Sequence, residues 1–294
     1  MNGYLCKELK EAFTEGELLG IGYACMVIAI LGCPLNMFTI YCYQKTQDVR
    51  QGAPTNQLLF SMNVYDTVNC VVIIPFSSVL HLSLSDHCVA TISYISLNAF
   101  SVGYCSFLIT LIALQRYLKV TTVIFSSGSP VVSRKRLNII NTTGLTIITL
   151  GTLVIVPLSA VFCRIAHTVV FATTSVSLPV IYILLYRAMK TTQQHSTTQS
   201  KRSTMINNRV TINVLILIMC HYLCCTYIFV TTVFAMLGQL PKDKVILRSR
   251  IGLVLFSFNS CINPFIYVFR ESSYRRVLKS IHRRLKLKLQ KETK

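Results

Sequence analysis

The stretch FNSCINPFIY, residues 258–267, places several polar side chains around a proline inside an apolar run. Asn259, Asn263 and Tyr267 recur every four residues, so they share one face of a helix. Pro264 cannot donate a backbone hydrogen bond, which frees a carbonyl group and kinks the helix. Amide side chains beside a freed carbonyl predict a helix whose polar face points into the interior of a bundle.

The apolar run around this stretch is one of seven in the chain. Only 13% of the 294 residues are charged and 52% are hydrophobic, which leaves too little charge to cover a soluble domain. Each run is close to or above the roughly 20 residues of a membrane-spanning helix, and none alternates as a barrel strand does. We therefore predict an all-α, seven-transmembrane helix bundle. The predicted spans are 18–42, 56–82, 89–118, 137–162, 169–190, 210–237 and 247–269.

Basic residues are distributed unevenly over the segments that connect these spans. The formal net charge is +19, and 22 of the 29 lysines and arginines fall in alternate connections and in the tail. The positive-inside rule then places the N-terminus outside the cell, and the same charge attracts anionic lipids rather than indicating nucleic-acid binding. We predict a short extracellular N-terminus at 1–17, a bundle at 18–269, and a cytoplasmic amphipathic helix with a basic tail at 270–294.

Cysteines are too scattered along the chain for a metal-site spacing. Most of the 12 lie within predicted spans, where cysteine acts as a small hydrophobic residue. Cys88 starts the third span and Cys163 ends the fourth, on the outer face where oxidation is allowed. We predict a disulfide between these two residues.

The polar residues within the spans are the informative ones, because they are costly in a bilayer. Asp66, in the second span, is the only acidic residue in the core of any span. Asn36 of the first span and Asn259, Ser260 and Asn263 of the seventh are candidates to surround it. Such a site would bind a proton or a small cation such as Na⁺. The alternative is a purely structural hydrogen-bond network.

Several of these residues together carry a resemblance to a known family. INPFIY (262–267) resembles the NPxxY motif of the rhodopsin-like (class A) G-protein-coupled receptors, and QRY (115–117) is similar to their DRY motif. The segment VFRESSYRRVL (268–278) resembles the amphipathic helix that follows their seventh span. Further matches to the marker positions of the family are Asn36, Asp66, Pro75 and Pro179.

This resemblance implies roles for residues at the inner end and in the middle of the bundle. The implied G-protein-coupling residues are Arg116, Tyr117, Tyr186, Arg187 and Tyr267. The implied switch and sodium network consists of Asn36, Asp66, Cys105, Asn259, Ser260, Asn263 and Pro264. Cys105 stands where a serine often completes the family's sodium site. No other cofactor is expected.

The chain also departs from the family's pattern. It contains no tryptophan, so the sixth span lacks the CWxP switch, and His221 stands in place of the switch tryptophan. Gln115 replaces the acid that restrains the motif arginine. Cys88 lies about one turn further from Arg116 than the family's spacing would put it, which weakens the disulfide prediction. Asn98 stands where amine receptors carry an aspartate, which disfavours a biogenic amine as the ligand.

The remaining pocket residues give little information about the ligand. The predicted lining is Tyr94, Asn98, Ala99, Val102, Ser175, His221, Cys224 and Ile228, a mixture that is generic for a small-molecule site. Lys242, Lys244, Arg248 and Arg250 form a basic cluster at the outer end of the seventh span. This cluster is interpreted as a solvated rim, with attraction of an anionic ligand as the alternative.

The leading hypothesis is therefore a plasma-membrane receptor, divergent and chemosensory or orphan by analogy. It would pass ligand binding outside the cell to a heterotrimeric G protein inside by outward movement of the sixth helix. The first alternative is a receptor-like protein with weak or constitutive signalling. A transporter is remote because no internal repeat is visible. An enzyme is not expected, because the spans contain neither an HExxH motif nor paired catalytic carboxylates.

Overall fold

The computed structural model of the chain describes residues 15–46, 54–82, 88–125, 133–158, 160–194, 201–239, 241–270 and 272–292. Within these ranges every regular element is a helix. The helices are α1 (Glu15–Lys45), α2 (Pro54–Val68, continued by the π-helical Asn69–Ile73 and by Ile74–Leu82), α3 (Cys88–Phe125), α4 (Arg134–Leu158), α5 (Ala160–Gln194), α6 (Lys201–Met236), α7 (Lys242–Arg270) and α8 (Ser272–Glu292).

Hydropathy and helix length agree with the predicted spans. Five segments of the described chain are helices long and apolar enough to cross a membrane, and a sixth apolar helical segment is shorter. The five are Glu15–Lys45, Asn56–Leu82, Ser96–Thr121, Thr168–Thr191 and Leu215–Ala235, and the sixth is Arg250–Ile266. α4 occupies the place of the remaining span. The prediction of an all-α helical bundle is confirmed, and the domain limits at residues 17 and 269 stay predictions.

The boundary between the fourth and fifth spans was predicted in the wrong place. α4 ends at Leu158 and α5 begins at Ala160, so Cys163 lies in the first turn of α5 and does not end α4. Polar residues led the prediction to place the break near Arg164. Residues 160–194 instead form one continuous helix, which contains Arg164, and Ser159 between the two helices lies outside the described residues.

α2 contains one turn of π-helix next to Asp66. The backbone N–H of Ile74 donates to the carbonyl of Asn69, five residues earlier, where an α-helix would use a spacing of four. Pro75 follows directly and has no N–H to donate, so the regular pattern is already interrupted at this point. The wider turn changes the direction in which the side chains that follow Asp66 point from the helix.

α3 lies at the centre of the bundle and contacts α2, α4, α5 and α6. Its residues Leu108, Ile109, Ile112 and Ala113 are completely buried. Many large apolar side chains of α1, α4 and α5 are exposed instead. A soluble protein would bury such side chains, whereas in a bilayer they contact lipid.

Several glycines, Gly32 and Gly144 among them, allow close approach between helices. A Cβ atom at Gly32 of α1 would lie 2.6 Å from the Cys70 Sγ atom and 2.7 Å from the Cys261 Sγ atom. A Cβ atom at Gly144 of α4 would overlap the ring of Phe107 on α3. Small residues at helix contacts are typical of packing within membranes. The contact at Gly32 brings α1, α2 and α7 together near Asp66.

Candidate functional site

The freed carbonyl predicted from Pro264 has a partner. In a regular helix the N–H of residue 264 would bond the carbonyl of Ser260, but proline has no N–H. The side chain of Asn36 on α1 donates to that Ser260 carbonyl at 2.8 Å, and to the carbonyl of Gly32 at 2.9 Å. Asn36 is completely buried. The Asn36 amide thus donates the hydrogen bond that Pro264 cannot donate to the Ser260 carbonyl, and it joins α1 to α7.

Asp66 is completely buried where α2 faces α7. Asn263 donates from Nδ2 to the Asp66 Oδ2 atom at 2.8 Å, and the Ser260 hydroxyl lies beside the carboxyl group. Among the described residues, no lysine or arginine forms an ion pair with Asp66. A buried carboxyl group without a cationic side chain must hold a proton, bind a cation, or be stabilised by dipoles alone.

Two residues that the sequence interpretation missed extend this network. Asn69, within the π-helical turn, donates from Nδ2 to the Ser260 Oγ atom at 2.9 Å. Ser101 of α3 donates from its hydroxyl to the Asn69 Oδ1 atom at 3.4 Å. Asn69 lies three residues after Asp66, and this helical spacing places the two side chains on the same face of α2. The sequence therefore contained a signal for the part that Asn69 plays. The network therefore joins α1, α2, α3 and α7.

The unsatisfied atoms of this network are all oxygens. Asn36 Oδ1, Asp66 Oδ1, Asn259 Oδ1 and Asn263 Oδ1 are buried and have no hydrogen-bond partner among the described residues. Carboxylate and amide oxygens are ligands of hard cations, so these residues fit a Na⁺ ion. Cys105 fits less well, because its sulfur is a soft ligand and lies 3.7 Å from the Asn259 Nδ2 atom.

His221, which stands where the family has its switch tryptophan, is buried in the centre of the bundle with 1% of its surface exposed. Asn259 of α7 lies 3.4 Å from the His221 Nδ1 atom, and Ser106 of α3 lies 3.5 Å from its Nε2 atom. The ring meets Phe256 edge to face, with 6.1 Å between centroids. A tryptophan would offer one N–H donor here, whereas the imidazole contacts polar groups of α3 and α7 at once.

Arg116, the arginine of the QRY stretch, is covered by the surrounding protein. Arg116 is 2% exposed and Gln115 is also buried, both engaged in contacts with the surrounding protein. Hydropathy located Arg116 correctly near the end of an apolar run, but it could not show which neighbouring helices cover the side chain. Arg116 is therefore inaccessible from outside the bundle in this packing.

The other predicted coupling residues that the structure describes are more exposed than Arg116. Tyr117 is half-buried, Tyr186 is 58% exposed, and Arg187 is exposed. The side chain of Tyr267 lies outside the described part of the chain.

The predicted ligand-pocket residues belong mainly to the packed interior. Asn98, Val102 and His221 are almost completely buried, while Ser175 and Cys224 are half-buried. Ala99 and Ile228 are also buried. The side chains of Tyr94 and of the predicted disulfide pair, Cys88 and Cys163, lie outside the described residues.

One member of the basic cluster near the N-terminus of α7 is not purely solvated. Arg250 contacts the Nε2 atom of His81 through its guanidinium group, while the His81 Nδ1 atom contacts the Ser77 carbonyl. His81 is buried, so this contact links the C-terminal end of α2 to the N-terminal part of α7. Lys244 and Arg248 are exposed, as a solvated rim predicts.

Comparison with known proteins gives relatives of one kind. The chain is 24% identical over 294 aligned residues to the rat (Rattus norvegicus) neuropeptides B/W receptor type 1, covering 87% of this chain and 84% of that receptor. The mouse (Mus musculus) type 1 receptor gives the same values. The human (Homo sapiens) type 2 receptor is 29% identical over 105 residues, 35% of this chain and 31% of that receptor. No protein-family profile matches the chain.

These relatives agree with the motif resemblance over most of the chain. They are receptors and not enzymes, as the sequence analysis expected for this chain. Together with the apolar helices, they indicate a multi-pass membrane protein that signals as a receptor.

Proposed function

We propose that this chain, a divergent rhodopsin-like G-protein-coupled receptor, converts the binding of an extracellular peptide into nucleotide exchange on a heterotrimeric G protein. The observation that carries the proposal is similarity over 87% of the chain to receptors named for neuropeptides B and W. The motif residues support it, because those on α1, α2 and α7 belong to one hydrogen-bonded network.

A peptide is a better candidate for the ligand than a biogenic amine. An amine needs a carboxylate to pair with its ammonium group, and the corresponding place on α3 holds the neutral, buried Asn98. His221 and Val102 are almost completely buried at the level where a small ligand would reach. A peptide bound at the outer ends of the helices would not have to reach that level.

The proposed mechanism is a shift in population between two packings of the bundle. In one packing the inner end is closed over Arg116. Peptide binding favours another, in which the inner end of α6 moves outward and Arg116, Tyr117, Tyr186, Arg187 and Tyr267 border a cavity for a G-protein helix. The Asp66 network, in contact with α7 through Asn263, is placed to change between the two packings.

In this proposal the N-terminus is extracellular and the receptor lies in the plasma membrane. The support is the excess of basic residues in the connections that would face the cytoplasm. Na⁺, where it binds, would be held by the oxygens of Asp66, Asn36, Asn259 and Asn263. It would supply positive charge beside the buried carboxylate and so favour the packing that keeps these oxygens together.

The experiment is a nucleotide-exchange screen of the full chain in lipid nanodiscs with purified G proteins. The probes are synthetic neuropeptides B and W, a set of other secreted peptides, and a set of biogenic amines. At least one peptide is expected to raise the exchange rate above the ligand-free rate. Activation by amines, with no response to any peptide across the G-protein classes, would contradict the proposed ligand class.

A second candidate function is weak or constitutive signalling, favoured by Gln115. In the family's motif an acid at this place restrains the arginine by a charge-assisted hydrogen bond, which is stronger than a neutral bond by on the order of 1 kcal/mol. Gln115 is buried next to Arg116 and carries no charge. The closed packing is therefore less strongly restrained than in receptors that carry the acid.

Gln115→Asp is expected to lower ligand-free nucleotide exchange by about fivefold, the ratio that corresponds to about 1 kcal/mol. Gln115→Asn, which keeps a neutral amide, is the matched control and is expected to leave the rate close to that of the natural chain. Equal ligand-free exchange by all three proteins, at matched surface expression, would remove the argument for weak restraint.

A further inference from the structure

Two cysteines face each other where α2 and α7 meet, and the proposed signalling mechanism uses neither of them. Cys70 of α2 and Cys261 of α7 are 1% and 3% exposed. A Cβ atom at Gly32 of α1 would lie 2.6 Å from the Cys70 Sγ atom and 2.7 Å from the Cys261 Sγ atom. The two sulfurs are therefore at most about 5.3 Å apart, which is the sum of these distances. The thiols lie within hydrogen-bonding range of each other.

Both thiols lie where the backbone departs from a regular helix. Cys70 belongs to the π-helical turn Asn69–Ile73, and such turns are frequent at functional sites. Cys261 follows Ser260, whose carbonyl Pro264 leaves without its helical partner. The sulfurs of a disulfide are about 2.05 Å apart, so the two side chains have to rotate towards each other. Irregular backbone on both helices makes this adjustment easier than it would be between two regular helices.

A carboxyl group that can accept a proton lies next to this pair. Asp66 precedes Cys70 by four residues and interacts electrostatically with both thiols. The Asp66 Oδ1 atom is buried and has no hydrogen-bond partner among the described residues. The Cys261 thiol donates to the Ile28 carbonyl at 3.1 Å, which leaves Cys70 as the thiol that can turn to Asp66. Because a thiol reacts as the thiolate, transfer of the Cys70 proton to an ionised Asp66 would move a buried negative charge without creating a second one.

We propose that Cys70 and Cys261 are an oxidation site, at which a small uncharged hydroperoxide such as hydrogen peroxide forms a disulfide that joins α2 to α7. Cys70 gives its proton to Asp66, and its sulfur attacks one peroxide oxygen, so that an S–O bond forms and the O–O bond breaks. The hydroxide that departs takes the proton from Asp66 and leaves as water. The Cys261 sulfur then attacks the Cys70 sulfenic acid, which forms the S–S bond and breaks the S–O bond. The second hydroxide leaves as water with the Cys261 proton, so two thiols lose two electrons and one peroxide is reduced to two waters.

The burial of the pair decides which chemistry is possible there. Hydrogen peroxide is small and uncharged, whereas glutathione disulfide is a charged peptide that an apolar interior excludes. A disulfide is neutral, so it remains buried without the cost of a charge. A soft metal ion would instead need two thiolates. These would concentrate negative charge beside Asp66, and the position therefore favours a disulfide over a metal ion.

The test treats the purified full chain in nanodiscs with hydrogen peroxide and, after denaturation, blocks the remaining thiols with N-ethylmaleimide. Proteolysis without reduction, followed by mass spectrometry, measures the peptide in which Cys70 is linked to Cys261. Most chains are expected to carry this link after peroxide, and few after an equal exposure to glutathione disulfide. The linked chain is expected to unfold at a temperature higher by about 5 °C or more, because the disulfide restricts the unfolded chain. Absence of the linked peptide after peroxide overturns the proposal.

Three variants and a control test the parts of the site. Cys261→Ser is expected to lose the effect of peroxide on the unfolding temperature, whereas Cys42→Ser, at a completely buried cysteine packed near Tyr274, is expected to keep both the link and that effect. Gly32→Ala leaves both thiols in place but puts a Cβ atom against both sulfurs, so it is expected to prevent the link.

Asp66→Asn removes the proposed base and is expected to slow formation of the link by about tenfold or more. Linking by Asp66→Asn at the rate of the natural chain would contradict the part given to this carboxyl group. Linking by Gly32→Ala at that rate would contradict the geometry of the site. These measurements involve neither a ligand nor a G protein, so their outcome is independent of the proposed signalling function.

Discussion

Replacing Arg116 by alanine is expected to reduce receptor-catalysed nucleotide exchange by roughly 10- to 100-fold, while the amount of receptor at the cell surface stays unchanged. The estimate corresponds to the loss of one charge-assisted hydrogen bond to the G protein, about 1.5–3 kcal/mol. The measurement is exchange on a purified G protein by receptor in nanodiscs, with and without an activating peptide. Ligand-free exchange is expected to fall together with stimulated exchange.

Because Arg116 is buried in the closed packing, a decrease in exchange on its replacement reports what this residue contributes to the open packing. In the closed bundle the side chain is 2% exposed and engaged with neighbouring protein groups. Its removal therefore destabilises the closed packing as well, which by itself would favour opening. A decrease in exchange consequently means that Arg116 stabilises the open, G-protein-bound packing by more than it stabilises the closed one.

Two controls separate coupling from structure. Arg136→Ala removes an exposed arginine from the first turn of α4 and is expected to leave exchange nearly unchanged. Arg116→Lys keeps the charge but loses the planar fork of donors, so it is expected to give an intermediate rate. Unchanged exchange by Arg116→Ala at equal surface expression would count against a contact between this residue and the G protein.

The architecture was predictable because the bilayer imposes a simple requirement on the chain. A segment that crosses the membrane must satisfy its backbone internally and be apolar along its length. Hydropathy therefore located the helices well. It failed at the boundary between the fourth and fifth spans, because the polar residues near Arg164 lie within the continuous helix α5. A polar residue inside a helix and a polar residue in a connection have the same hydropathy.

The centre of the network was also predictable, since Pro264 had to leave the Ser260 carbonyl without its helical partner. Asn36 and Asp66 are polar residues whose placement within a bilayer costs enough free energy to imply a structural or functional role. Asn69 escaped notice because its part depends on the π-helical turn and on Ser101 of another helix. The burial of Arg116 escaped notice for a similar reason. Both depend on how helices meet, which the periodicity of one helix does not determine.

Replacing Asp66 by asparagine is expected to abolish the stabilisation of the receptor by Na⁺. A ligand that binds only the folded state stabilises it by RT ln(1 + [L]/Kd), about 2.7 kcal/mol at 100 times its Kd. The proposed ion would lose its only carboxylate, and the remaining amide oxygens of Asn36, Asn259 and Asn263 are neutral. The measurement is thermal unfolding of purified receptor in NaCl and in choline chloride at equal ionic strength.

The natural chain is expected to melt at a higher temperature in NaCl, and Asp66→Asn at the same temperature in both salts. Thr67→Ala is the matched control, because its hydroxyl donates to the Asn63 carbonyl of its own helix at 2.8 Å and lies one residue from Asp66. This control is expected to keep the response to Na⁺. If the natural chain melts identically in the two salts, the buried oxygens do not bind Na⁺. A protonated or purely structural Asp66 then becomes the better account of the network, because a carboxyl group hydrogen-bonded to Asn263 can remain buried without a cation when it carries a proton.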